Sequence, residues 1–296
     1  MLLGLLSTLI WGWQYTTGRL IFGESLESAD PYFLNMVKFF SGSLTLVPFL
    51  FLDNGWKKVR QACKEDLLPF FLLAIFGVMA EGFLALYSLQ YTTAARGSLL
   101  CNMSPVFTVI VAAIATRKCP DWGKWVGMVL GVVGLMLVLS TQASDMYDDK
   151  PYTLPGDIMA LASGLAWAIY TVYGSWTSQK YCGIPCTAIT LFIAGCAMAG
   201  VCIIRGSDFT PALCWQAWVG TLFLGICASG LGIALWSMAI GMADPAALGA
   251  YGYLSALIAL FLARLFSKEH FTWQFLVAFA LIMGAIFLMN REEKKP

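Results

Sequence analysis

Charge is what this 296-residue sequence has least of: 12% of its residues are Asp, Glu, Lys or Arg, about half the share usual in soluble domains. That leaves too little polar surface to coat a globule of this length in water. Neither sign is in excess, the formal net charge being +1, which argues against a nucleic-acid binder. Histidine is nearly missing. His270 stands alone, which excludes multi-histidine metal sites and Ser-His-Asp triads. No nucleotide-binding loop of the Walker type occurs, so the chain does not read as an ATP-driven pump by itself. The nine cysteines fall mostly in or beside apolar runs, where a thiol behaves as a small hydrophobe. Cys182 and Cys186 are spaced C-x3-C, but no second pair or histidine supports a metal site. The sequence implies no cofactor and no metal.

What the chain does have is hydrophobic length. Apolar residues make up 59%, and they gather into ten runs, near 2–22, 33–52, 67–90, 94–115, 122–140, 156–178, 186–204, 215–241, 245–266 and 272–290. Runs of about twenty residues match the hydrocarbon core of a bilayer when helical. Helices close their own backbone hydrogen bonds, as lipid demands, whereas barrel strands would alternate in short segments. The predicted fold class is therefore all-α integral membrane. The first run lacks a basic n-region and a small-x-small cleavage site, so it reads as a structural helix and not as a signal peptide.

Basic residues suggest an orientation. With the N-terminus in the cytoplasm, eleven lie inside: Lys57, Lys58, Arg60, Lys64, Arg117, Lys118, Lys124, Lys180, Arg291, Lys294 and Lys295. Arg19, Arg96, Lys150, Arg205, Arg264 and Lys268 fall outside or near the outer ends of helices, and the outer loops carry Glu24, Glu27, Asp30, Asp145, Asp148 and Asp149. The bias predicts both termini in the cytoplasm of a cell-membrane protein. Arg264 and Lys268 run against it.

The chain also repeats itself. Asp244 stands 151 positions after Thr93, Thr272 the same distance after Asp121, and Trp273 after Trp122. Thr93, Asp244, Asp121 and Thr272 suit N-caps, and Pro245 suits a first helical turn. Ser7 and Trp11 correspond to Ser163 and Trp167 at an offset of 156. The predicted fold is ten transmembrane helices as two inverted five-helix repeats, residues 1–145 and 152–291, with a tail at 292–296. An odd helix number inverts the second half, and inverted repeats point to alternating-access transport with a site at their interface.

Leu9-Ile10-Trp11-Gly12, Tyr91-Thr92-Thr93-Ala94-Ala95 and Ser104-Pro105-Val106-Phe107 carry a family likeness, as does Ala239-Ile240-Gly241-Met242-Ala243-Asp244-Pro245-Ala246. On these the chain resembles the drug/metabolite transporter superfamily, in its EamA-type branch of ten-helix carriers. Two departures stand out: Lys118 where the family often has Glu, and Ala256 as counterpart of the fourth-helix proline. The resemblance implies a carrier, often an exporter, for metabolites such as amino acids.

Ionisable groups inside spanning helices are costly and default to a functional reading. Glu81 lies roughly 20 Å along its run at about 1.5 Å per residue, and Lys38 falls at a comparable depth, with Arg19 and Arg96 in the outer third. The two readings of Lys38 and Glu81 are a structural ion pair, or groups that hold a solute's carboxylate and its amine or a coupling proton. Gly77, Glu81, Ser88 and Thr92 form a small-polar stripe that should face protein or water. Further candidate solute contacts are Trp11 and Gln14, Trp167 and Tyr170 with Ser163, Asn102 after Ser98, and Tyr251 before Ser255. Packing competes with solute contact for each aromatic. Gly123, Gly127, Gly131 and Gly134 line one face of the fifth run and suit close helix contact, within the chain or in a homodimer. Ser104-Pro105 predicts a kink. The expected partners are a small-molecule substrate and the lipid bilayer, with proton or sodium coupling open and no nucleic acid. A passive channel is the alternative function; a membrane enzyme lacks the base, nucleophile or metal set it would need.

Overall fold

The computed structural model describes residues 1–22, 30–88, 91–92, 94–140, 154–209, 214–267 and 273–291. Thr93, Lys150, Lys268, Glu269, His270, Thr272, Lys294 and Lys295 lie outside the described residues, as do Glu24, Glu27, Asp145, Asp148 and Asp149 and the side chains of Gln14, Arg19, Arg96, Ser98 and Arg264. Among the described residues the chain is all-helical, without a strand.

The first half begins with α1 (Leu2–Phe22) and α2 (Pro31–Leu46), which continues through a 3-10 turn, Pro48–Phe51. Asp30 caps α2, its carboxylate accepting from the Tyr32 N–H at 2.9 Å. A short basic helix α3 (Gly55–Glu65) leads to α4 (Leu67–Leu72), a π-helical segment Leu73–Met79, and α5 (Ala80–Ser88). Then come α6 (Ala94–Cys101), α7 (Ser104–Thr116) and α8 (Trp122–Ser140). The second half runs α9 (Leu154–Tyr181), α10 (Gly183–Arg205), α11 (Trp215–Phe223), a π segment Leu224–Gly232, and α12 (Ile233–Met242). It ends with α13 (Pro245–Gly249), α14 (Gly252–Ser267) and α15 (Trp273–Met289). Asp244 caps α13 with Pro245 at its start, as the sequence predicts.

Among the described residues, six helical stretches are long and apolar enough to cross a membrane: Pro31–Phe51, Leu67–Ala85, Leu99–Thr116, Leu154–Tyr181, Gly183–Arg205 and Trp215–Met242. Four shorter apolar helices accompany them, Leu2–Trp13, Trp122–Val138, Pro245–Ala259 and Trp273–Met289. Large side chains such as Phe51, Trp122, Trp273 and Phe287 are exposed on the outside of the bundle, a surface that suits lipid and not water.

Two kinds of irregularity escape an apolar pattern. One is the π segment inside each of the stretches 67–88 and 215–242. The other is a break, at Asn102-Met103 between α6 and α7 and at Ala250-Tyr251 between α13 and α14. Pro105 does not kink a continuous helix; it sits in the first turn of α7, where its missing N–H costs nothing. The second break has no proline.

Close helix crossings organise the rest. α2 crosses the second π segment so tightly that a Cβ on Gly42 would lie 2.8 Å from the Gly225 carbonyl oxygen. The α8 glycine face is taken by α15 and α14 of the same chain: a Cβ on Gly134 would lie 2.8 Å from Ile282 Cγ1, and one on Gly131 would meet the Tyr253 ring. At the end of the bundle that carries α3 and Asp244, ion pairs join the halves. Lys180 bonds Asp66 at 2.6 Å and Glu65 at 3.2 Å, and Lys124 bonds Asp244 at 2.8 Å. At the other end Thr92 Oγ1 donates to the buried Asp157 carboxylate at 3.0 Å.

Candidate solute-binding site

Three of the four irregularities border one cavity of about 100 Å³, and the first π segment stops just short of it. The first break supplies Asn102 and Ser104, the second Gly252 and Ser255. The second π segment supplies Ala228 and Ser229, and Glu81 follows the first by two residues. Interrupted helices release backbone groups, which membrane proteins tolerate where they line a cavity. The two breaks touch, since a Cβ on Gly252 would lie 3.2 Å from Pro105 Cγ.

Of the side chains singled out in the sequence, Trp11, Lys38, Glu81, Asn102 and Trp167 line this cavity together, with Ser163. Lys38 and Glu81 act on each other electrostatically, yet among the described residues no direct ion pair joins them. The walls are aromatic. Trp11 and Trp167 meet edge to face at 5.1 Å, and Trp236 lies 5.3 Å from Trp11 and 6.0 Å from Trp167. The Trp11 Nε1–H donates to the Ala228 carbonyl at 3.1 Å, and the Trp236 Nε1–H to Thr171 Oγ1 at 3.1 Å, so both rings are fixed.

Tyr170 and Tyr251 do not reach the cavity. Tyr170 stacks on Trp167 at 5.3 Å and is buried one layer below, its hydroxyl 2.6 Å from Ser237 Oγ. Tyr251 donates its hydroxyl to Met1 Sδ at 3.4 Å, because the break turns it towards the start of α1. Together with Trp236, Ile240 and Leu248, all fully buried, Tyr170 belongs to a packed layer between the cavity and the Met1 end. The stripe Gly77, Glu81, Thr92 faces α9. A Cβ on Gly77 would lie 2.8 Å from Tyr170 Cβ, and the Glu81 carbonyl accepts from Ser163 Oγ at 3.1 Å. Ser88 turns onto its own helix, donating to Ala85.

Sequence reasoning missed Phe39, Cys101, Ser104 and Ser229 as lining residues, and Trp236 behind them. Ser229, Gly232 and Trp236 share one helix face by spacing, a signal that could have found two of them.

The two halves make matching bonds here. Ser7 Oγ donates to the Gly232 carbonyl at 2.8 Å, and Ser163 Oγ to the Glu81 carbonyl at 3.1 Å. Gly232 stands 151 positions after Glu81 and Ser163 stands 156 after Ser7, the two offsets of the sequence repeat.

Comparison with known proteins agrees with this architecture. A protein of known crystal structure superposes with a TM-score of 0.79 at 20% identity, over 98% of this chain and 95% of its own. An uncharacterized transporter of Archaeoglobus fulgidus is 27% identical over 84% of this chain and 82% of its own length. The uncharacterized inner membrane transporter YedA of Escherichia coli K12 is 25% identical over 95% and 87%. The aromatic amino acid exporter YddG of Ancylobacter novellus is 22% identical over 88% of each. Residues 1–140 and 154–291 each match the model of one family. This membrane protein belongs to the EamA-like transporter family.

Proposed function

We propose that the protein is a secondary transporter, working as an exporter, for a small zwitterionic metabolite of the amino-acid class. It moves its solute by alternating access around the cavity between two inverted five-helix repeats, residues 1–145 and 152–291. One observation carries the substrate class: Lys38 and Glu81 line the same cavity without closing on each other. Opposite charges left apart at this depth are costly. A zwitterion offsets both at once, its carboxylate at Lys38 and its ammonium at Glu81. Trp11 and Trp167 then form the wall for its side chain, and Asn102 adds a polar group that fixes orientation. The name of the Ancylobacter novellus relative, an aromatic amino acid exporter, is in keeping with that wall.

The inverted repeat is supported by the paired serine bonds and the paired π segments, which recur at the offsets of the sequence repeat, and by a break in each half within three residues of the corresponding position. With both termini in the cytoplasm of a cell membrane, the layer of Trp236, Tyr170, Ile240 and Leu248 closes the cytoplasmic side. That packed layer favours a carrier over a passive channel, which needs a continuous path. Glu81 is also where a coupling proton would bind. The α8 glycines are occupied within the chain, so a homodimer would use another face.

Ligand-dependent thermal stabilisation in detergent tests the substrate class. Tryptophan at 10 Kd should stabilise the protein by about 1.4 kcal/mol. Tryptamine lacks the carboxylate and indole-3-propionate the ammonium, so each should bind about ten-fold more weakly. Lys38→Met should erase the preference for tryptophan over tryptamine. Equal stabilisation by all three compounds would sink the zwitterion assignment.

A further inference from the structure

Asn35 lies on α2 one turn before Lys38 and is fully buried. Its Nδ2 donates to the Pro31 carbonyl at 2.9 Å. A carbonyl can only accept, so that bond fixes which way the amide points. Oδ1 faces the opposite direction, and among the described residues it has no hydrogen-bond partner. A buried acceptor left in this state requires a reason.

The reason lies across the helix interface, next to Glu81. A Cβ on Gly82 would stand 3.1 Å from Asn35 Oδ1 and 3.2 Å from Lys38 Nζ. One buried acceptor and one ammonium thus border the same gap, which exists because residue 82 has no side chain.

The two are not hydrogen-bonded in this structure; we propose that Asn35 Oδ1 is a dock into which the Lys38 ammonium turns over Gly82, out of a direct pair with Glu81. Lys38 and Glu81 then present separate charges to a zwitterionic solute. This deepens the function proposed above and rests on its assignment of Lys38. A lysine head on a flexible stem needs a partner when it leaves water. With no neutral acceptor beside it, the best partner in reach is the Glu81 carboxylate, and a closed pair would have to break before solute could bind. An amide oxygen holds the ammonium without cancelling its charge. Asn35 does not line the cavity, so it is a positioning residue that acts through Lys38.

A double-mutant cycle read with tryptamine separates this role from a structural one. Tryptamine carries only the ammonium, so its affinity reports whether Glu81 is available. Asn35→Leu should let Lys38 fall onto Glu81 and weaken tryptamine binding about ten-fold, whereas in a Lys38→Met background it should have no effect. Equal weakening in both backgrounds, or none with Lys38 present, overturns the dock. If Asn35→Leu does not fold, Gly82→Ala, which fills the gap, replaces it in the same cycle with the same outcomes. If the unsubstituted protein is stabilised by neither tryptophan nor tryptamine, the proposed substrate class has failed separately. The dock is then judged on Tm alone: the Tm change caused by Asn35→Leu should differ between the two backgrounds, and an identical change in both overturns it.

Discussion

At the scale of single residues, a carboxylate and an ammonium share a cavity deep in an apolar bundle. Glu81→Gln keeps the shape and removes the charge. It should abolish transport while the protein still folds and inserts. Normal transport by Glu81→Gln, measured beside a size-exclusion profile, would contradict a functional role for the carboxylate. Trp236 makes a different demand. It is buried at 1% exposure and packs against Trp11 and Trp167, so Trp236→Ala should cost about 3–5 kcal/mol of stability. Trp236→Phe, which leaves Thr171 without its indole donor, should cost about 1 kcal/mol. Thermal unfolding in detergent would rank the two, and a cost for Trp236→Ala no greater than for Trp236→Phe would contradict the packing assigned to the ring. Lys38 and Glu81 were legible in the sequence because charges are rare in apolar runs, and Trp11 and Trp167 because the repeat aligns them. Tyr170 was not separable from Trp167 by spacing: three residues shift a side chain by nearly one turn, enough to drop it into the layer below.

At the scale of elements, the helices were readable and their interruptions were not. Hydropathy measures length and composition, and a π segment or a two-residue break changes neither. Pro105 marked the first break, but Ala250-Tyr251 carries no comparable sign, and its place follows from contact with Pro105 through Gly252. The glycine face of α8 was legible as a packing face, although its partners, α15 and α14, were not. Gly134→Leu should therefore cost at least about 1–3 kcal/mol by forcing α15 away. Gly200→Leu is the control, since a Cβ at Gly200 meets nothing within 4 Å, and it should cost little. Comparable losses of Tm in both variants would contradict the assigned crossing.

At the scale of the whole molecule, two halves meet around a cavity and are tied at one end by Lys180 with Asp66 and Glu65, and by Lys124 with Asp244. The alternating access proposed above requires these ties to open. Hydrogen bonds from Lys180 and Tyr181 hold the Asp66 carboxyl below its usual range, and bonds from Gln61 and then Lys180 do the same for Glu65. Groups with depressed values stabilise the tied state above the unperturbed carboxylate pKa of about 4, and that contribution is lost as pH falls through the lowered values. The tie should therefore be constant between about pH 5 and 8. Asp66→Asn should raise the transport rate or bias the protein towards opening at that end, without creating a new pH dependence in this range. A pH-dependent rate between 5 and 8 that disappears in Asp66→Asn would contradict this assignment. That residues 1–140 and 154–291 resemble one family was legible in aligned pairs such as Trp11 and Trp167, whereas the tie was not, because its partners are more than a hundred residues apart.

Counterflow in proteoliposomes separates a carrier from a channel. Vesicles preloaded with unlabelled tryptophan and given trace labelled tryptophan outside should accumulate label transiently above equilibrium, and vesicles bearing Lys38→Met or Glu81→Gln should not. Equilibration without overshoot in the unsubstituted protein would contradict a carrier and favour a channel, and an overshoot undiminished in both variants would contradict the assignment of these two charges to the solute.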